Sequence, residues 1–325
     1  MSSADGIRQG IYRSAWVRKI ARVLDAIPHP LLACEIAPNY VAAARWSRGS
    51  YNLAAHSLVP LDAGVLRPSA VETNLIDPAA VRRAVQEAIA AVGGHGQPIA
   101  LLVPDSVIRV FVLHFDVFPR TAAEAIPMLR WRLKKSVPFE AEETLISYMR
   151  QAPREDGVDV VTGLGRLRII KEYESLVEPL HAGVIMSSTL ATLPLLDDSG
   201  PMMLARVCGT SLTTAIAREG VLCGYRCTEL PGTLDTLNPR SLLEEIFPVA
   251  AYYQDAWSEG LRAVQLSGFG NRIGEFQQAM QAELHCPVAG LVRTAVSSGL
   301  VTSDATPLAE KELDSLIGWN LNRGA

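Results

Sequence analysis

The spacing of hydrophobic and polar positions changes several times along the 325 residues. Over residues 7–25, "IRQGIYRSAWVRKIARVLD", a 100° period gathers Tyr12, Trp16, Val17, Ile20, Val23 and Leu24 on one side. Arg8, Arg18, Lys19 and Arg22 fall on the other, which predicts a basic amphipathic helix. From Leu31 the pattern is that of strands: Leu31–Ile36, Tyr40–Trp46 and Asn52–Pro60 read as a meander broken by Ala-Pro-Asn and Arg-Gly-Ser turns. Asp77 as N-cap and Pro78 at the first helical position open a helix that stops at Gly93-Gly94. "PIALLVP" and "VIRVFVLHF" follow as strands. Residues 121–136 form a helix with a basic last turn, which Pro138 forbids from continuing. "TLISYMRQA" and "VDVVTGLGRL" make a hairpin, and "KEYESLVEPLHAG" reads as a helix ending at Gly183. Strands at "MMLARV", "SLTTAIAREG" and "VLCGYRCTEL" precede a helix, "PRSLLEEIFPVAAYYQDAW", that Pro248 should kink or split. "RAVQLSGFG" is a strand, "NRIGEFQQAMQAEL" a helix capped by Asn271, and "LAEKELDSLIGWNLNR" a closing helix. This order predicts an α/β protein with mixed sheets and two similar halves, each a strand meander followed by a helix.

Composition narrows the function classes. Apolar residues make up 49%, charged residues 20%, and the net charge is −4, so no global field favours nucleic acid. Five cysteines without a CxxC pair, and a polar, basic start without an apolar core, predict reduced thiols in a cytoplasmic setting. No apolar run reaches the roughly 18 residues of a membrane-spanning helix. The six histidines show no metal-ligand spacing, so no metal site is expected. The carboxylates of "KKSVPFEAEETLISYM" (Glu140, Glu142 and Glu143) follow a helix stop and diverge into a strand, an arrangement of a hinge rather than of a catalytic pair. Two basic segments keep two readings each. The helix over 7–25 suits an anionic membrane surface or packing on its own domain. Arg130, Arg132, Lys134 and Lys135 suit a solvated face or a docking surface for an acidic or membrane partner.

Four stretches together resemble the PilM family of type IV pilus assembly. They are "LVPLDAGVLRPSAVETNLIDPAAVRRAV", "IALLVPDSVIRVFVLHFDVFP", "KKSVPFEAEETLISY" and "VQLSGFGNRIGEFQQAMQAELHCPV". The resemblance implies an actin-like (ribonuclease H-like) two-domain fold with an inserted αββα subdomain of the kind found in FtsA. The expected boundaries are an N-terminal amphipathic helix at 1–27, a first subdomain at 28–114 plus 183–198, the insert at 115–182, a second domain at 199–303 with a reduced small subdomain, and a C-terminal helix at 304–325. It further implies a partner, the N-terminal cytoplasmic tail of a PilN-like bitopic membrane protein. Val110, Val112 and Phe115 are the expected exposed apolar contacts, in a groove between the first domain and the insert. Other pilus-platform proteins, a peripheral membrane contact and a homo-oligomer belong to the same expectation, as does a place on the cytoplasmic face of the inner membrane.

Actin-like proteins hold ATP and Mg²⁺ between two glycine-bearing strand turns and a third glycine-rich turn, because the backbone must approach the phosphates closely. At the first turn this chain has Glu35, Ala37, Pro38, Asn39 and Tyr40 where the family carries D-x-G and small polar residues. At the second, Arg206 takes the acidic position and Cys208 the glycine position, ahead of Gly209 and Thr210. An acid-to-Arg change inverts the charge where the cation would sit. The third turn keeps Ser267, Gly268 and Gly270, as a base-binding loop or simply as a tight strand-to-helix turn. Only "TLDTLNP" stands where a further small subdomain would help to enclose the base. Glu35, Asn39, Arg206, Thr210, Ser267, Gly268 and Gly270 are therefore expected to be the remains of a cofactor site. The chain reads as a pseudo-ATPase scaffold that takes no cofactor. The alternative is an ATP-binding or slowly hydrolysing actin-like protein of pilus assembly or type II secretion, using ATP with Mg²⁺.

Overall fold

The structure is a computed structural model, and it describes residues 29–94, 96–140 and 143–322. The amphipathic segment at 7–25 and Glu142 lie outside the described residues. The first sheet is built from β1 (Leu32–Ala37), β2 (Tyr40–Trp46), β3 (Leu53–Pro60), β4 (Ile99–Val103) and β8 (Ala182–Ser187), in the order β3-β2-β1-β4-β8. The second comprises β9 (Met202–Cys208), β10 (Ser211–Arg218), β11 (Val221–Glu229), β12 (Ala263–Ser267) and β13 (Val288–Gly290), in the order β11-β10-β9-β12-β13. Each is an antiparallel meander whose first strand also pairs in parallel with a later one, so the two sheets repeat one plan. Because β1 and β9 are each central, both of their faces are covered, and β1 carries no exposed residue. The third sheet, β5-β7-β6, joins β5 (Ile108–Phe115), β6 (Thr144–Arg154) and β7 (Gly157–Arg166).

The helices follow their local signals. In α1 (Pro78–Ala91), Asp77 accepts a hydrogen bond from the Ala80 amide and Pro78 stands at the start, as expected. α2 (Ala122–Leu133) covers the small sheet through Ala125, Leu129 and Leu133. α3 (Leu167–Leu176) is followed by β8, so "HAGVIMS" is a strand and not the end of a helix at Gly183. Gly183 sits at an irregularity in the pairing of β8 with β4, between Ala182 opposite Ile99 and Val184 opposite Ala100, and a Cβ there would approach Pro30 and Pro98 at 3.3 Å. After α4 (Ser188–Thr192) comes the second half. There α5 (Pro239–Trp257) stays one unbroken helix through Pro248, capped by Asn238, whose side chain accepts from the Arg240 amide. α6 (Ile273–Leu284) starts after a 3-10 turn at Gly270–Arg272, which puts Arg272 rather than Asn271 at the cap position. α7 (Leu291–Ser297) leads to α8 (Thr306–Ala309) and α9 (Asp314–Leu321), two pieces where one closing helix was expected. Glu312, at φ 54°, breaks the run between them.

β5 departs from its expected place. It pairs with β7 rather than with the first sheet, so the strand work of the insert begins at Ile108 and not after residue 114. The insert is then fastened to both halves. Arg166 and Arg168 donate to the Val71 carbonyl, and Glu172 accepts from the Asn74 amide in the first half. On the other side the Gln151 amide pairs with the Leu222 backbone through two hydrogen bonds (2.8 and 2.7 Å), acting as a substitute strand on the edge of β11. Arg154 also stacks over Trp257 at 4.7 Å.

Candidate functional site

Four chain segments distant in sequence meet where the two large sheets face each other. β1 supplies Glu35, the one-turn 3-10 helix after β4 supplies Asp105, β9 supplies Arg206 and the start of α9 supplies Asp314; all four are buried. The Arg206 guanidinium donates through Nη2 to Glu35 Oε1 at 2.7 Å. Its Nη1 lies 3.6 Å from Asp105 Oδ2 and its Nε 3.8 Å from Asp314 Oδ2. One cation from the second half thus faces three carboxylates, two of them from the first half and one from the closing helix. Asp105 is held by five donors: the Thr189 amide (2.9 Å), the hydroxyls of Thr189 (2.6 Å), Thr213 (3.0 Å) and Tyr225 (3.1 Å), and Ser187. Since Thr213 lies on β10 and Tyr225 on β11, this carboxylate also bridges the halves. Asp314 accepts from the Ser267 hydroxyl and the Ser315 amide.

Burial dominates the electrostatics. It pushes the Glu35 carboxyl up, reinforced by Asp314 and opposed by Arg206. Burial alone would discourage the Arg206 charge, but Asp314, Glu35 and Asp105 outweigh it and raise the guanidinium well above its ordinary value. The neighbouring Cys208 thiol is pushed up to about 12 by burial, so it stays protonated and offers no nucleophile. A raised folded-state value for Glu35 means that folding takes up a proton. Its stabilising contribution is full below the ordinary Glu range and is lost as pH rises through the folded value. The melting temperature of the native chain minus that of Glu35→Gln should therefore fall as pH is raised from about 4.5 towards neutrality. A flat difference across that window would show that Glu35 is ionised in both states.

The structure gathers some of the sequence-predicted residues and separates others. Arg206 and Ser267 belong to the buried network, directly and through Asp314. Asn39, Thr210, Gly268 and Gly270 are exposed along an adjoining cleft of about 770 Å³, whose rim carries Arg67, Lys311, Glu229 and Asp235. The β1–β2 and β9–β10 turns touch each other. A Cβ on Gly209, whose φ is 61°, would lie 2.9 Å from Pro38 Cγ. Gly268 is set against β9 so closely that a Cβ would overlap the Val207 carbonyl at 2.0 Å. Val110 and Val112 line a second groove of about 400 Å³, with Cys223 and Tyr225 of β11 and Val249 and Tyr252 of α5. That groove lies between the insert and the second half. Val110 is only 7% exposed, because β11 covers its face of β5, so it is not the exposed contact expected. Phe115 points to the opposite face, where it packs on Phe118 at 5.1 Å within the insert core. In the former carboxylate cluster, Glu143 binds Arg166 at 2.9 Å and Glu140 is exposed. Among the described residues there is no group of metal-ligating side chains. Asp105 and Asp314, central to the network, carry no sequence motif. Their only local signal is an acid set at the end of a buried apolar strand or at the head of an apolar helix.

No family model matches the chain, and no curated protein does. Solved structures do. A chain of the "PilM-PilN type IV pilus biogenesis complex" superposes with a TM-score of 0.74 over 91% of this chain and 99% of that one, at 14% identity. A Bacteroides thetaiotaomicron protein with an actin-like ATPase fold superposes at 0.53 over 88% and 98%, at 9% identity. The chain has the actin-like fold. Its two repeated sheets face each other across the Arg206 network, and β5, α2, β6 and β7 pack together around Phe118, Ala125, Leu129 and Val160. Among the described residues no helix is long and apolar enough to cross a membrane.

Proposed function

We propose that this actin-like chain is a non-catalytic scaffold of type IV pilus assembly, working at the cytoplasmic face of the inner membrane by binding the N-terminal cytoplasmic tail of a PilN-like protein. The observation that carries the first half of this reading is the buried ion pair of Arg206 with Glu35. ATP and Mg²⁺, which the fold family would place here, do not fit these residues. A guanidinium already neutralises the carboxylates that a cation would need, and Pro38, which has no backbone N–H to offer a phosphate, stands against Gly209 where the two turns meet. The partner rests on the likeness to the PilM–PilN structure. The groove beside Val112 and Tyr252 suits a short peptide with apolar anchors, since Tyr252 is 74% exposed at its rim.

The open cleft beside the network, with Arg67 and Lys311 on its rim, supports a second reading in which nucleotide binds without the usual cation. Thermal denaturation separates the two. A ligand at 100 times its dissociation constant adds about 2.7 kcal/mol to the folded state. We expect no shift at millimolar Mg-ATP, and a rise of several degrees would overturn the non-catalytic reading. Titration of a synthetic peptide of the PilN-like tail tests the partner. Binding that Val112→Asp weakens roughly tenfold or more, by placing an unpaired charge in an apolar groove, supports it. Absence of binding removes this partner while leaving the cleft argument intact.

A further inference from the structure

α2 carries an arrangement that its own fold does not require. Its stripe of Ala125, Leu129 and Leu133 is buried on the small sheet. At 100° per residue, Trp131 lies roughly 160° round the helix from the centre of that stripe, and it is 77% exposed. Arg130 and Arg132 lie within about 100° of the indole, one on either side, and Lys134 and Lys135 follow in the exposed turn that ends the helix. Arg130 donates to the Thr144 carbonyl. Among the described residues, Arg132, Lys134 and Lys135 form no ion pair. Four cations and one acid, Glu124, thus lie between residues 122 and 135 of a chain whose net charge is −4. Cations suit a helix C-terminus through its dipole, but the dipole asks for no exposed indole. A large aromatic left in water forfeits its burial, and such residues mark contact surfaces.

We infer that the outer face of α2 docks on an anionic lipid bilayer. The charge is complementary to such a surface, and Trp131 stands exposed outside both the cleft and the groove. An indole ringed by long cationic side chains matches the headgroup layer: the ring sits at the interface while lysine and arginine stems reach outward to phosphates. The inference stands apart from the tail-binding reading, because α2 lines neither the cleft nor the groove.

The test is flotation of the full chain with vesicles of phosphatidylcholine alone or with one-third phosphatidylglycerol. The chain should float with the anionic vesicles, remain free of the neutral ones, and detach as salt rises. Each lysine near such a surface contributes about fivefold to partitioning, so Lys134→Gln with Lys135→Gln should lower it by more than tenfold. Brominated lipid should quench native tryptophan emission more strongly than that of Trp131→Ser. The charge-matched pair Arg83→Gln with Lys171→Gln, exposed on other helices, should float like the native chain. Failure of the native chain to float overturns the inference. So does native-like flotation of both α2 variants, which would assign lipid binding to another segment such as the basic residues 7–25. Loss of an acidic soluble protein, rather than of vesicles, by the α2 variants would overturn it in favour of a protein partner.

Discussion

Arg206→Met is expected to destabilise the chain by about 3–5 kcal/mol, the cost of removing one partner from a buried ion pair. Measured by urea or thermal unfolding, that corresponds to a fall of roughly 5–10 °C. The size follows from what remains. Methionine fills much the same volume, so packing changes little, but Glu35, Asp105 and Asp314 then share one dry site with no cation. Arg206→Lys should also lose stability, because a single ammonium cannot face three carboxylates with the geometry of a planar guanidinium. Combining Arg206→Met with Glu35→Gln should recover part of the loss, since the most directly paired acid is then neutral. That non-additivity is the signature of a direct interaction. If Arg206→Met unfolds with the native midpoint, the guanidinium is a bystander, and the case against a nucleotide in this cleft loses its main support.

The same network shows how far the sequence could be read. The meanders, the capped helix at Asp77-Pro78 and the hairpin of the insert rest on signals a few residues long, and their elements lie within a residue or two of expectation. The helix expected to run to Gly183 ends at Leu176, and "VIMS" carries no assignment in the sequence reading because so short an apolar run does not distinguish strand from helix. What decides it is parallel pairing with β4, some 80 residues earlier. Arg206 could be noticed as an inverted charge at a turn, yet its partners could not be found. Residues 35, 105, 206 and 314 converge only once two sheets and a terminal helix are assembled, and no spacing in the chain encodes that. Strand parity held information that went unused. Val110 and Val112 share a face of β5, and Phe115 must lie on the other, which is where the structure puts it. Parity could not tell that β11 covers the first of those faces.

Gly318→Ala is expected to produce the second large effect, on the closing helix that delivers Asp314 to the cleft. α9 crosses α4 so closely that a Cβ on Gly318 would lie 2.2 Å from the Ala191 carbonyl oxygen and 3.0 Å from Thr192 Cα. Both are backbone atoms, so neither can swing aside. An alanine in a helix interior is otherwise favoured by about 1 kcal/mol over glycine. Overpacking a tight contact typically costs 1–3 kcal/mol or more, and here relief requires α9 to lift from the first half. That movement would strain the burial of Trp319, which stacks on His29 at 3.9 Å and donates to the Pro30 carbonyl at 3.3 Å. It would also draw Asp314 away from Ser267 and Arg206. A net loss of about 2 kcal/mol is expected, with faster hydrogen exchange in β1 and β9 than the fall in global stability accounts for. Gly274→Ala is the control, because no atom lies within 4 Å of its Cβ position on α6. There the helix preference acts alone, and stability should hold or rise slightly. Equal effects at the two glycines would mean that α9 does not press on α4, and that Asp314 reaches the cleft without the help of that contact.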